Sequence, residues 1–159
     1  MRDGVPIALG YFAVSFSLGI AARNAGLTPI QGVFASLFNN ASAGEYAASS
    51  LIAAGATYLE VAIITLIANA RYLLMSCALA QKFAPGTPFF HRLIIGYDVT
   101  DELFGITIAR PGYLNPFYTY GAIALAAPAW AMGTALGIIA GYLLPVRVVS
   151  ALRVALYRM

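Results

Sequence analysis

The sequence predicts an all-α, polytopic membrane protein with one broken or re-entrant helix, and three observations carry that expectation. The 159 residues are 61% hydrophobic and only 9% charged, with a mean hydropathy of +0.81. Soluble domains carry about 25% charged residues, so too little charge is present to cover a water-facing surface. Apolar runs of near-membrane length recur along the chain, separated by short Pro-, Gly- and Arg-containing turns. One of these runs carries a polar, small-residue stretch at its centre. Residues 1–159 read as a single transmembrane domain.

The first span is Pro6–Ala22. Its outline resembles a cleaved signal peptide, with Ala21-Ala22 as a possible cleavage site, but more membrane follows rather than a secreted domain. Arg23-Asn24-Ala25-Gly26 ends the span with a charge and a turn. Thr28-Pro29 then starts a helix, with Thr as N-cap and Pro at the first helical position. Ile30–Phe38 and Ala47–Ala56 are apolar arms flanking the polar Asn39–Tyr46. Each arm covers about half a bilayer at about 1.5 Å per residue. Irregular backbone at that depth is tolerated only where it lines a cavity or is buried in protein, and broken helices point to binding sites.

Glu60–Gln81 reads as a further span, with Asn69-Ala70-Arg71-Tyr72 near its middle. Lys82–Arg92 reads as a loop holding two prolines and the sole histidine, His91. Leu93–Ala109 is a weaker span with Asp98, Asp101 and Glu102 in its first half. After the Arg110-Pro111-Gly112 turn, Asn115-Pro116 begins a long helix, Phe117–Leu144, with Pro128 as the expected kink. Gly133, Gly137 and Gly141 recur at every fourth position, which places them on one face for close helix packing. Val148–Tyr157 is too short to span, so the chain reads as incomplete at its C-terminus, or as completed there by another subunit.

The net charge is +3, and the basic residues are scattered singly, without the clustering of a nucleic-acid-binding face. Two topologies satisfy them. With Ile30–Ala56 re-entrant and a cytoplasmic N-terminus, Arg2, Lys82, Arg92 and Arg147 face inside and Arg23 and Arg110 outside. With Ile30–Ala56 crossing fully, the N-terminus must face outward. Cys77 stands alone, so the chain forms no internal disulfide. No hydrolase, zinc-protease or phosphate-loop motif occurs, so no enzyme activity, metal or cofactor is expected.

Three groups could carry chemistry. Arg71 lies near mid-span, where an arginine costs about 2.5–3.5 kcal/mol. It must pair or face water, unless the span ends near Asn69 and Arg71 snorkels to an interface. Asn69 shares a helix face with Thr65, Tyr72 and Ser76, and Arg71 points away from it. Asn69 and Arg71 therefore serve one site only if the helix is unwound there. Glu45, beside Asn39, Asn40 and Ser42, could carry a proton or pair with Arg71; the alternative is a solvated loop between two interfacial helices. Asp98, Asp101 and Glu102, spaced i, i+3, i+4, would share one helix face. They would then bind a proton or cation, or else form a polar helix start.

On these motifs the chain resembles the AzlC family. The likeness rests on Gly4-x-Pro6 with Tyr11 and Gly19, on Ala41-Ser42-Ala43-Gly44-Glu45-Tyr46-Ala47, and on Asn69-Ala70-Arg71-Tyr72. Thr100-Asp101-Glu102 before Phe104, and Trp130 with the three glycines and Leu144-Pro145, complete it. The resemblance implies the large permease subunit of a bacterial branched-chain amino-acid exporter in the inner membrane, acting with a small hydrophobic AzlD-type subunit. It implies export of the valine, leucine and isoleucine class, driven by the proton gradient. On this chain's own residues, Arg71 would meet the substrate carboxylate, and Glu45 or the acidic trio would hold the proton. Rival readings are a carrier for another small amino acid or organic anion, and a non-transporting membrane assembly subunit. The chain departs from the family where Glu45-Tyr46 replaces Gln-Phe and where Tyr72 replaces a histidine. Family members also continue into further membrane segments.

Overall fold

A computed structural model describes residues 2–143. The Leu144-Pro145 step and the Val148–Tyr157 run lie outside the described residues. The fold is all-α: α1 (Gly4–Asn24), α2 (Pro29–Asn39), α3 (Ser42–Ala53), α4 (Tyr58–Ala68), α5 (Arg71–Ala80), α6 (Phe89–Tyr97), α7 (Asp101–Ile108) and α8 (Pro116–Leu143). Among the described residues, only α1 and α8 are long and apolar enough to cross a membrane unaided, and α4 with α5 passes as one span bent by 45°. Large apolar side chains such as Leu9, Phe38, Leu66 and Leu74 remain exposed. Bilayer-facing surface requires this of a helical membrane protein.

Helix starts follow local chemistry. Thr28 and Gln31 form a capping box at α2, as Thr57 and Glu60 do at α4, each satisfying two otherwise unpaired donors. Asn115 Oδ1 accepts from the Phe117 N–H at 3.0 Å, which starts α8 at Pro116. Helix α8 then runs on through Pro128.

The frame is the α1–α8 pair, which packs through glycines because apolar side chains gain little over lipid and close backbone approach supplies the contact. A Cβ on Gly19 would lie 2.2 Å from the Thr134 carbonyl oxygen, and one on Gly137 2.1 Å from that of Phe16. A Cβ on Gly133 would meet Ser15 Oγ at 1.9 Å, whereas at Gly141 the nearest atom, Cγ of Arg23, stands 3.1 Å away.

Three expected spans are interrupted rather than one. The break in Ile30–Ala56 is confined to Asn40 and Ala41, with Asn40 left-handed at φ 34°. Ser42, Gly44 and Glu45, expected in the break, are helical, because small residues followed by a first-turn acid favour a helix start. Glu60–Gln81 bends at Asn69-Ala70. Leu93–Ala109 divides at Asp98–Thr100, where the Thr100 side chain caps α7 by accepting from the Leu103 N–H. His91, expected in a loop, lies in the first turn of α6, and its Nδ1 stands 2.6 Å from the Tyr120 hydroxyl. Lys82, leaving α5, donates through Nζ to the carbonyls of Thr107, Ile108 and Arg110. A cation there satisfies the open C-terminal carbonyls of α7.

A surface cluster ties the start of α1 to the segment before α8. Asp3 Oδ2 accepts from Arg110 at 2.9 Å and from the Tyr118 hydroxyl at 2.7 Å. The Tyr118 bond, then Arg110, holds the Asp3 carboxyl below its usual 3.8. A lowered folded-state value means that this contribution is present above the unfolded value and fades as pH falls through the folded one. Melting of the wild type in detergent should therefore weaken at acid pH more than that of Asp3→Asn. Parallel curves for the two proteins would refute the linkage. The effect is small, because both partners are about half exposed and exposed pairs contribute little.

Candidate functional site

Two of the breaks, α2–α3 and α6–α7, border one cavity of about 350 Å³ together with the first turn of α5. The α2–α3 break supplies Asn40, Ala41 and Ser42, α5 supplies Tyr72, and the start of α7 supplies Thr100, Asp101 and Glu102. Pro6, Ile7, Tyr11 and Val14 of α1 and Trp130 of α8 form a largely apolar wall. The unwound segments expose backbone groups and polar side chains only where protein encloses them.

The charged groups are arranged differently from the sequence expectation. Arg71 pairs with Asp101 at 2.8 Å, both side chains being nearly half exposed, and its Nη2 also donates to the Tyr72 hydroxyl at 3.0 Å. It does not meet Glu45. An arginine opening a helix opposes the helix dipole, and the Asp101 carboxylate offsets that. The expected acidic face does not form either, because the break between Asp98 and Thr100 turns the three acids apart. Asp98 is buried and accepts from Asn40 Nδ2. Asp101 takes Arg71. Glu102 accepts from the Tyr11 hydroxyl at 2.8 Å, and the same hydroxyl meets Thr100.

Asn69 and Asn39 close the second junction, with Asn69 Nδ2 donating to Asn39 Oδ1 at 2.6 Å. Gly44 lets them meet, since a Cβ there would stand 2.5 Å from Asn69 Oδ1. Among the buried oxygens without a hydrogen-bond partner, two lie at the helix breaks, Asn69 Oδ1 and Asp98 Oδ2. Unsatisfied acceptors beside unwound helix are groups that a ligand or water can satisfy.

Glu45 lies in the first turn of α3, enclosed by Trp130, Thr134 and Ser36. Ser42 lies on the cavity wall, and Ala41 gives α3 no side-chain cap. The first N–H groups of α3 therefore open next to the cavity, where a helix start attracts negative charge. Sequence reasoning missed Tyr11, Tyr72, Thr100 and Trp130 as wall residues. Tyr11 and Trp130 sit within uniformly apolar spans, where nothing in the local pattern separates a cavity wall from packing.

This interrupted-helix architecture can be set against known proteins. The family profile described as AzlC protein matches residues 6–144. The chain belongs to the AzlC family. It is 30% identical over 136 residues to an uncharacterized membrane protein of Archaeoglobus fulgidus, covering 86% of this chain and 58% of that one. It is 24% identical over 144 residues to the inner membrane protein YgaZ of Escherichia coli, covering 88% and 59% respectively. The AzlC-family chain thus spans about three fifths of the length of these curated relatives. No solved structure matches it. Family membership and the apolar helices together make it a membrane protein.

Proposed function

We propose that this AzlC-family membrane protein is a carrier subunit for export of branched-chain amino acids across the bacterial inner membrane, driven by protons. The observation that carries the reading is the meeting of two helix breaks and the first turn of α5 at one cavity with acids on one side and an apolar wall on the other. A zwitterion with an aliphatic side chain matches both halves. The substrate ammonium takes Glu102 and Asp101. Its carboxylate takes the uncapped start of α3 and the guanidinium of Arg71, which Asp101 releases to it. Ile7, Val14 and Trp130 receive the aliphatic side chain. A wall of this kind separates methyl-sized differences by only about 1–3 kcal/mol, so valine, leucine and isoleucine are accepted together. A small hydrophobic AzlD-type subunit completes the assembly.

The test is efflux from cells loaded with a valine dipeptide and expressing the chain with its small partner. Faster valine efflux is expected. Arg71→Ala should slow it by on the order of tenfold to a hundredfold, the range set by losing one hydrogen bond to a charged group. Unchanged efflux on expression counts against the exporter reading, and full efflux with Arg71→Ala removes the role of Arg71. Co-purification of the two subunits without flux in vesicles would favour an assembly role. Competition by an unrelated amino acid or organic anion, without competition by leucine, would move the substrate class.

A further inference from the structure

The surroundings of Glu45 hold one hydrogen too few for a carboxylate. Ser36 on α2, Glu45 on α3 and Thr134 on α8 form a closed triangle. Its sides are 2.9 Å from Ser36 Oγ to Thr134 Oγ1, 3.2 Å from Thr134 Oγ1 to Glu45 Oε1, and 3.4 Å from Ser36 Oγ to Glu45 Oε2. Ser36 and Thr134 are fully buried, and Glu45 is 3% exposed. Trp130 Nε1 donates to Glu45 Oε2 at 2.9 Å.

Each hydroxyl has one hydrogen to give. Around a carboxylate, the three sides of the triangle share two hydrogens, and one side sets lone pair against lone pair. A proton on Oε2 completes the set. Glu45 then donates to Ser36, Ser36 to Thr134 and Thr134 to Oε1, while Oε2 still accepts from Trp130.

Nearby cations are committed elsewhere: Arg71 to Asp101, and Arg23 to the face of Tyr142 at 3.8 Å. The other titratable groups on elements packed against α3 are Tyr11 and Arg23 on α1, Tyr58 and Glu60 on α4, and Tyr118, Tyr120 and Tyr142 on α8. Tyr46 neighbours Glu45 on α3 itself, and α2 carries none. Glu60 is held in the Thr57 cap. The Trp130 indole also lines the cavity and packs edge-on against Tyr11 at 5.1 Å. It therefore touches the cavity on one side and the Glu45 carboxyl on the other.

We propose that Glu45 is an exchangeable proton site and that Trp130 links its protonation to occupancy of the cavity, a step that rests on the transport reading above. Only the O–H bond of Glu45 changes. Its proton passes to water, and the carboxylate left behind keeps Trp130, Ser36 and Thr134 as donors. A later proton from water restores the closed triangle.

Trp130 is the only tryptophan in the sequence, so its fluorescence reports the partner of its N–H. The full chain in lipid vesicles should show one pH transition in emission, moved by added valine and absent in Glu45→Gln. The carboxamide of that variant donates and accepts as a protonated carboxyl does. A flat wild-type emission between about pH 5 and 9, the range over which buried carboxyls titrate, overturns the proposal. So does a transition that survives Glu45→Gln, or valine-driven proton uptake that persists in that variant. If Glu45→Gln fails to fold, Glu45→Asp replaces it. The shorter side chain cannot close the triangle, so the transition should move by on the order of tenfold in proton affinity, and an unmoved midpoint overturns the site. A transition lost in Glu45→Gln, in vesicles where valine neither shifts it nor crosses, supports the proton site and sinks the amino-acid reading instead.

Discussion

Gly137→Leu should strongly destabilise the folded protein. A Cβ at this position already stands 2.1 Å from the Phe16 carbonyl oxygen and 3.1 Å from the Gly19 Cα. The colliding atoms are backbone, which cannot swing aside as a side-chain tip can, so α1 and α8 must separate along their length. Overpacking typically costs about 1–3 kcal/mol where side chains can adjust. Displacing the central helix pair should reach or exceed the upper end of that range, a large share of a total stability of about 5–15 kcal/mol. The check is size-exclusion profile and thermal unfolding in detergent beside Gly105→Ala, whose added methyl meets nothing within 4 Å and should behave as wild type. A monodisperse Gly137→Leu with wild-type melting would show that the glycine contact does not hold the pair.

Asn40→Ala should damage both the break and the site. The residue is left-handed at φ 34°, a conformation that costs an ordinary residue about 1–2 kcal/mol and that asparagine tolerates. Its Nδ2 also donates to Asp98, whose other oxygen already lacks a partner. Removing the donor leaves a buried acid without any partner, at about 1.5–3 kcal/mol for a bond to a charged group. The two losses together amount to about 2.5–5 kcal/mol. Asn40→Gly separates them, because it keeps the backbone and loses only the amide. Unfolding midpoints of the three proteins should fall in the order wild type, Asn40→Gly, Asn40→Ala. Equal midpoints for glycine and alanine would mean that the left-handed backbone contributes nothing.

Much of the fold was legible because each signal was local. Thr28-Pro29, Asn115-Pro116 and the small residues around Asn39 and Gly44 fix helix starts and one break through chemistry that acts within a few residues. The breaks at Asn69 and at Asp98–Thr100 were harder to read. Their sequences hold neither proline nor glycine at the break, and Val99 is buried against Ile95 and Leu114 in a packed cluster, so tertiary packing shapes that turn. The reading of the acids failed for the same reason. A spacing of i, i+3, i+4 shares a face only on an unbroken helix, and a single unwound step sends Asp98 to Asn40, Asp101 to Arg71 and Glu102 to Tyr11.

Composition and hydrophobic run length by themselves determined that this chain is a helical membrane protein with an interrupted span, since a charge-poor surface is stable only against lipid. The glycine repeat likewise marked a face for close packing. Which groups face one another was decided only in three dimensions. Ser36, Glu45, Trp130 and Thr134 come from three helices and as many as 98 positions apart, and no local preference encodes their meeting. Helix propensity and capping act through neighbours in the chain, whereas a buried polar group must find its partners wherever packing delivers them.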